Sequence, residues 1–283
     1  MTIIDCHTHT QFSVDSEADI NECIRRACEL GLAAYAITDH CECNRWYSKE
    51  HYPDETTYQY FDFGRDFENS VSAVTELKKQ YSGKINLLCG VEMGQATHDF
   101  EIAEKIVSDK RLDFVLASMH QLPKTEDFCF IDYSEYSLDG IYELCDKYFI
   151  EINKLCKWGK FDVLAHLTYF MRYLKCKAGI DVDISRFDDI IEDSFRMLAQ
   201  NGKGIEINTS GLRQGFGDTF PDIKYVKMFR ELGGEILSIG SDAHYVKDIG
   251  ADCEAGTRTA YEAGFRYLAF FKERKPNFIE LRI

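Results

Sequence analysis

The stretch that decides the fold lies near the start of the chain and consists of Ile3-Ile4-Asp5-Cys6-His7-Thr8-His9. Its apolar half is short and gives way directly to polar residues, which predicts a brief buried strand. In an extended chain, residues two apart share a face, so His7 and His9 point the same way. Two neighbouring imidazoles suit a metal such as Zn, Mn or Fe. The stretch therefore predicts a strand that ends in a candidate metal site.

The same pattern of a short apolar run followed by an amphipathic segment repeats along the chain. Residues 19–30 carry apolar side chains at helical spacing before Gly31 and predict a helix, and residues 34–38 predict a second buried strand. Further strands are predicted at residues 85–91, 114–118, 162–165, 204–208 and 236–240, and further helices at 67–81, 141–158 and 186–201. About seven strand–helix units favour a closed parallel α/β barrel, and a doubly wound open sheet is the alternative.

The segments between and after the predicted strands and helices are assigned to the same barrel. Residues 1–283 are therefore predicted to form a single domain. The segment of residues 43–65 is long and rich in aromatic and polar side chains, and it is predicted to form a loop over the site. Residues 267–281 are predicted to add a terminal strand or a cover. The oligomeric state is not predicted, because no coiled-coil or interface pattern is present.

Composition excludes several functional classes. The 33 Lys and Arg residues against 48 Asp and Glu give a net charge of −15, which repels nucleic acids and anionic membranes. No apolar run approaches the length of a membrane span. The 11 cysteines are an odd number in a chain without a secretory leader pattern, so we expect reduced thiols in a cytoplasmic protein.

The histidines are concentrated where predicted strands end. Six of the eight histidines in the chain, together with Glu92 and Asp242, occupy such positions: His7, His9, His40, His120, His166 and His244. Parallel α/β barrels carry their catalytic groups at the carboxyl ends of the strands. A single histidine at such a position would more often be a core residue with its hydrogen bonds made inside the protein. Six histidines together predict a metal site on that face. The other two, His51 and His98, are predicted at the surface.

These residues lie in motifs that resemble the PHP family, named for polymerase and histidinol phosphatase domains. The motifs are D-x-H-x-H (5–9), T-D-H (38–40), G-V-E (90–92), S-M-H (118–120), A-H (165–166) and S-D-A-H (241–244). They span nearly the whole chain in the family's order. The resemblance implies a distorted (β/α)7 barrel whose metal site lies at the C-terminal face of the strands.

The resemblance also implies a set of ligands for three divalent metal ions, which are Zn, Mn or Fe. The first ion is expected on His7, His9, Glu92 and Asp242; Glu92 bridges to a second on His120 and His166; and His40 and His244 hold the third. Related proteins often supply a further histidine shortly after the first motif. Asp15 stands at that place here and is predicted to complete the third site, the alternative being a helix-capping or loop aspartate.

Such a cluster implies hydrolysis of a phosphate ester. A hydroxide that bridges the metal ions is the expected nucleophile, so no serine or cysteine nucleophile is needed. The leaving oxygen is expected to take its proton from Asp242, His244 or a metal-bound water.

The residues that point to a substrate are Glu206-Ile207-Asn208-Thr209-Ser210-Gly211-Leu212-Arg213. They resemble the corresponding stretch of the histidinol-phosphate phosphatases. Arg213 is predicted to clamp the substrate phosphate, with a structural ion pair as the alternative, and Asn208 is a second candidate for substrate binding. The resemblance implies metal-dependent hydrolysis of L-histidinol phosphate in histidine biosynthesis. The alternatives are a phosphatase for another small ester, such as a nucleotide or sugar phosphate, and a non-catalytic metal-binding module.

Overall fold

The computed structural model describes residues 2–51 and 62–283. Its strands are β1 (Ile4–Asp5), β2 (Ala34–Ile37), β3 (His40–Glu42), β4 (Leu87–Gly94), β5 (Phe114–Ser118), β6 (Val163–Leu164), β7 (Gly204–Asn208), β8 (Leu237–Gly240), β9 (Tyr267–Lys272) and β10 (Lys275–Glu280). Its helices are α1 (Ile20–Glu29), α2 (Phe63–Gln80), α3 (Phe100–Val107), α4 (Leu138–Trp158), α5 (Met171–Ala178), α6 (Asp188–Gln200), α7 (Ser210–Arg213), α8 (Ile223–Glu231) and α9 (Cys253–Glu262).

Seven parallel strands form a nearly closed barrel in the order β1-β2-β4-β5-β6-β7-β8. The two ends of this order meet, because the backbone N–H of Cys6 donates to the carbonyl of Ile239 over 2.8 Å. Further along, Asp242 N–H donates to the carbonyl of His7, also over 2.8 Å. The buried carboxylate of Asp5 strengthens this seam by accepting from Ser241 N–H at 2.8 Å. The predicted (β/α)7 barrel is confirmed, and the open-sheet alternative is wrong.

The helices pack on the barrel through the faces that the sequence pattern predicted. In α1, Ile20, Cys23, Ile24 and Ala27 are buried, and the side chain of Asp19 caps the first turn. The long helix α4 ends at Gly159, whose φ of 61° is the left-handed conformation that glycine adopts without strain. These helices hold the strands in parallel, so all seven carboxyl ends open on one face.

Strand β4 runs three residues beyond its predicted end at residue 91. The extension pairs in parallel with β3, a strand that the sequence pattern did not reveal because it is only three residues long and polar at both ends. Gly94 permits this close approach, since a Cβ there would lie 2.0 Å from a carboxylate oxygen of Glu42.

The predicted loop at residues 43–65 is only partly described. It contains two short 3-10 turns, Cys43–Arg45 and Lys49–His51, and residues 52–61 lie outside the described part of the chain. Helix α2 begins four residues earlier than predicted because the Asp62 side chain accepts from Arg65 N–H at 3.0 Å. The start of α2 reaches the candidate site, where Phe63 lines the cavity.

The C-terminal segment, predicted as a strand or cover, is an antiparallel hairpin of β9 and β10. Arg274 in its turn donates to Asp162 and to the carbonyls of Val107 and Lys160, at the amino ends of the strands. The hairpin therefore covers the end of the barrel opposite the candidate site.

Two further observations concern the cysteines and helices. All eleven cysteines are free thiols, as predicted. Within residues 2–51 and 62–283, no helix has the length and apolar character needed to cross a membrane.

Candidate metal centre

The predicted ligands converge on one cavity at the carboxyl ends of the strands. The cavity measures about 530 Å³, a volume typical of small-molecule sites. Its wall includes seven of the nine predicted ligands: Asp15, His40, Glu92, His120, His166, Asp242 and His244. The other two, His7 and His9, are fully buried beside them. The barrel thus brings together every residue that the sequence analysis assigned to metal binding.

Glu92 occupies the centre of this cluster. Its Oε1 lies 2.8 Å from His166 Nε2 and 3.0 Å from His120 Nε2. Its Oε2 lies 2.8 Å from His40 Nδ1 and 3.3 Å from His7 Nε2. One carboxylate therefore stands between two sets of imidazoles, which is the geometry expected of a residue that bridges two ions.

An uncommon backbone conformation at Asp242 positions the side chains of Asp242 and His244 in the cluster. Asp242 has a φ of 55°, a left-handed conformation that is uncommon outside glycine and frequent at functional sites. This turn places Asp242 Oδ1 3.4 Å from His9 Nε2 and 3.8 Å from His7 Nε2. His244 lies on the same side, with its ring stacked on that of His9 at a centroid distance of 4.2 Å.

Asp15 lies at the mouth of the cavity, where the third site was predicted. Its Oδ2 is 3.2 Å from His244 Nε2, and its Oδ1 is 3.6 Å from His40 Nε2. Asp15 does not cap a helix, because Asp19 caps α1 instead; it lies in the turn before α1, as the other half of the alternative held.

Hydrogen bonds to three rings determine which imidazole nitrogen is free. His7 Nδ1 lies 2.8 Å from Glu206 Oε1, and His120 Nδ1 lies 3.0 Å from Glu42 Oε1. His244 Nδ1 lies 3.0 Å from the carbonyl oxygen of Asp242. Because these partners only accept, each Nδ1 carries a proton, and a ring that gives up its second proton presents its Nε2 lone pair to the cluster.

The arrangement fits metal ions. Four buried atoms that face the cluster make no hydrogen bond of good geometry among the described residues: His7 Nε2, His9 Nε2, His40 Nδ1 and Glu92 Oε2. His40 Nδ1 and Glu92 Oε2 approach to 2.8 Å as an ion pair but are not aligned as donor and acceptor. Unpaired polar atoms of this kind are costly in a protein interior. Imidazole nitrogen and carboxylate oxygen are a donor set suited to Zn, Mn or Fe. In the described part of the chain, four groups have ligand atoms within 4.8 Å of one another: His7/His9/Asp242, His7/Glu92/His166, His40/Glu92/His120 and His9/His40/His244.

In the metal-free protein, protons on the histidines balance part of the negative charge of the carboxylates. Burial lowers the pKa of His120, but the charges of Glu92 and Glu42 outweigh burial and raise the pKa to about 10. Burial likewise opposes protonation of His7, yet Glu206 and Glu92 raise its pKa well above the ordinary value. Metal binding must displace these protons, so we expect metal affinity to fall as the pH is lowered.

The two predicted substrate contacts have different surroundings. Arg213 lines the cavity, and its two terminal nitrogens donate to the carbonyls of Ser241 (2.5 Å) and Asp242 (2.7 Å). Asn208 is fully buried and not among the lining residues; its Oδ1 accepts from the N–H and hydroxyl of Ser210. The structure therefore places Arg213 at the site and Asn208 at the end of β7, where its side chain supports the connection to α7.

Sequence reasoning missed a second arginine, Arg172 on α5. Its guanidinium lines the cavity and lies 5.1 Å from the ring centroid of Tyr169 and 5.4 Å from that of Tyr173. Its Nη2 is 3.8 Å from Asp242 Oδ2, and neither Nε nor Nη2 has a hydrogen-bond partner among the described residues. Its position six residues after His166 could have indicated that it lies near the site, but Arg172 belongs to none of the recognised motifs.

The two unassigned histidines differ from each other. His51 is exposed, as predicted. The surface prediction is wrong for His98, which is half-buried in a 3-10 turn where β4 leads into α3. Burial lowers the pKa of His98, and its Nε2 has no hydrogen-bond partner among the described residues.

Replacing Asp15 with alanine is expected to remove about one bound metal ion per chain, because the variant loses a carboxylate facing both His40 and His244. Elemental analysis after equilibrium dialysis against Zn or Mn measures this. Asp19→Ala is the matched control: it should lower stability by about 1 kcal/mol through loss of the helix cap and leave metal content unchanged. Equal metal content in Asp15→Ala and the wild type contradicts the prediction.

Comparison with known proteins gives concordant matches. The model of the PHP domain family matches residues 5–210. A protein of Thermotoga maritima named "Probable histidinol-phosphatase" is 29% identical over 94% of this chain and 95% of its own length. The "Histidinol-phosphatase" of Lactococcus lactis subsp. lactis is 24% identical over 97% of this chain and 96% of its own length.

A solved structure shares the fold. The histidinol phosphate phosphatase of Lactococcus lactis, crystallised with zinc, L-histidinol and phosphate, superimposes with a TM-score of 0.76. The match covers 98% of this chain and 99% of that protein at 21% sequence identity. The barrel is therefore the one that this phosphatase uses.

Proposed function

The chain belongs to the PHP domain family, and from that premise we propose that it hydrolyses L-histidinol phosphate to L-histidinol and phosphate in histidine biosynthesis. The proposal takes residues 1–283 as one domain and three divalent ions, Zn, Mn or Fe, as its cofactors. The surface charge and free thiols suit a cytoplasmic enzyme that acts on a small phosphate ester.

The observation that carries the proposal is the position of Glu92. It lies among buried imidazoles at one end of a cavity whose wall also holds two arginines. Divalent ions bound by these groups would supply an activated water nucleophile and neutralise phosphoryl oxygens. The same wall supplies guanidinium groups, which match a phosphate dianion through paired N–H donors.

Two arginines and two predicted metal ligands are the candidates for phosphate binding and proton transfer. Arg172 has N–H groups without a hydrogen-bond partner among the described residues, whereas Arg213 both lines the cavity and donates to the carbonyls of Ser241 and Asp242. Asp242 Oδ2 points toward Arg172, so phosphate bound there would lie beside this carboxylate. His244 or a metal-bound water is accordingly placed to give a proton to the departing alcohol oxygen. Burial favours the protonated form of Asp242, but the imidazoles of His7 and His9 outweigh burial and hold its pKa well below the usual value, so this carboxylate is ionised.

The organic part of the substrate fits the rest of the cavity. L-Histidinol carries an ammonium group and an imidazole, which call for acidic and aromatic neighbours. The wall also includes Asp127, Asp248, Tyr169 and Tyr173. The names of the relatives supply the choice of this ester over others.

Phosphate release from L-histidinol phosphate, measured beside nucleotide, sugar and aryl phosphates with Mn- or Zn-loaded protein, tests the proposal. We expect a preference of several hundredfold in kcat/KM, roughly 3–4 kcal/mol of differential transition-state binding, and no activity after chelation. Comparable turnover of the whole panel would favour a phosphatase for another small ester. No turnover of any ester would favour a non-catalytic metal-binding module.

Replacing Arg213 with alanine is expected to lower kcat/KM for L-histidinol phosphate by roughly 10- to 100-fold, mainly by raising KM. The variant loses a guanidinium at the phosphate and loosens the backbone beside Asp242. Steady-state kinetics at fixed metal concentration measure the split between kcat and KM. Arg230→Ala is the matched control, because Arg230 also donates to a backbone carbonyl, that of Gly234, away from the cavity. A silent Arg213→Ala variant counts against the phosphate contact.

A further inference from the structure

The hydroxyl of Ser13 joins two of the predicted metal ligands. Its Oγ lies 3.0 Å from His9 Nδ1 and accepts the backbone N–H of His40 at 3.1 Å. The same oxygen donates to Asp39 Oδ1 over 2.8 Å. Ser13 is 4% exposed, so water does not compete freely for these contacts.

The valence of a hydroxyl decides the direction of these bonds. Ser13 has one proton, and the carboxylate of Asp39, which only accepts, takes it. Both lone pairs of Ser13 Oγ are then acceptors, one for the N–H of His40 and one for His9. His9 must carry its proton on Nδ1, which leaves the lone pair on Nε2, the atom that faces Asp242 Oδ1 at 3.4 Å.

Several hydrogen bonds fix the Asp39 carboxylate in the position where it accepts the Ser13 proton. Besides Ser13, it accepts the N–H of Thr10 at 2.6 Å, the hydroxyl of Thr10 at 2.8 Å and the hydroxyl of Ser70 at 2.6 Å. The carboxylate is 3% exposed and has four donors from two parts of the chain. It therefore fastens the segment that follows β1 to the end of β2.

The fastened segment, residues 10–16, also carries Asp15. Ser13 N–H donates to the carbonyl of Thr10 at 2.8 Å, and Ser16 N–H donates to the carbonyl of Ser13 at 3.2 Å. The hydroxyl of Ser16 donates to the carbonyl of His244 at 2.9 Å. Ser13 thus lies at the point where His9, His40 and the Asp15 segment are connected.

We propose that Ser13, backed by Asp39, is a positioning residue of the metal centre. It fixes His9 in the tautomer that presents Nε2 to a metal ion, and it holds residues 10–16 so that Asp15 reaches His40 and His244. The inference rests on the metal-binding part of the proposed function and is independent of the substrate.

Two single-hydroxyl variants test this. Ser13→Ala and Ser70→Ala each remove one donor to Asp39, but only Ser13 also contacts His9 and His40. Zinc affinity is measured by competition with a chromophoric chelator, and bound zinc is counted by elemental analysis. We expect roughly 10- to 100-fold weaker zinc binding in Ser13→Ala and a change of less than about threefold in Ser70→Ala. Equal affinities in the two variants overturn the proposal.

A second pair of variants separates hydrogen bonding from charge at Asp39. Asp39→Asn keeps an acceptor for Ser13 and Thr10, so it should retain zinc affinity better than Asp39→Ala. An asparagine variant as weak as the alanine variant contradicts positioning through these hydrogen bonds. Thermal unfolding identifies misfolded variants, and the serine pair decides the proposal even if Asp39→Ala does not fold. A wild-type chain that binds none of zinc, manganese and iron overturns the proposed function itself.

Discussion

Replacing Glu92 with glutamine is expected to lower kcat/KM for L-histidinol phosphate by at least about 1,000-fold, or about 4 kcal/mol of transition-state stabilisation. Glutamine has nearly the same shape, so the effect comes from charge and donor chemistry. Two carboxylate oxygens face four imidazole nitrogens within 3.3 Å. An amide has only one oxygen acceptor, and its NH2 group cannot bind a metal ion.

Zinc titration should accompany the kinetics, because the same substitution is expected to reduce the number of bound ions. Glu151→Gln is the matched control. Glu151 is also a buried glutamate, but it hydrogen-bonds to Thr97 and Lys154 outside the cavity. That variant should keep kcat/KM within about threefold. A Glu92→Gln enzyme with near-normal activity and metal content would refute the central role of this carboxylate.

Replacing Arg172 with alanine is expected to lower kcat/KM by roughly 100-fold or more, which corresponds to about 3 kcal/mol. Its Nε and Nη2 have no hydrogen-bond partner among the described residues, so a bound phosphate would supply acceptors for donors that are otherwise unpaired. Aromatic rings of Tyr169, Tyr173 and Phe220 hold the guanidinium in place. Metal content should be unchanged, which distinguishes this variant from Glu92→Gln.

Inhibition by inorganic phosphate gives a second measure of the same contact, since the variant should bind phosphate more weakly. Arg186→Ala is the control: Arg186 also packs on a tyrosine, Tyr142, at 4.1 Å from the ring centroid, but away from the cavity. We expect it to behave like the wild type. Unaltered phosphate inhibition in Arg172→Ala would mean that this arginine does not bind the phosphate.

Local sequence features predicted the seven barrel strands, four of the nine described helices and the nine candidate ligands, but not the three-residue strand β3. A strand that ends in His-Thr-His, Asp-His or Val-Glu carries its signal within a few residues, because side chains alternate along an extended chain. The common face of these ends follows from parallel strands in a barrel. The histidine motifs and their order were therefore sufficient to predict the fold and the clustering of the nine candidate ligands.

Tertiary structure alone decided what surrounds those ligands. Glu206 reaches His7 from 199 residues away, and Asp5 closes the barrel on Ser241 from 236 residues away. Arg172, Glu42 and Ser13 have no distinctive local pattern, since their roles depend on which strand or loop lies opposite. The side chains that bind a metal can be recognised from short motifs, whereas the groups that orient those side chains are fixed only when distant strands meet.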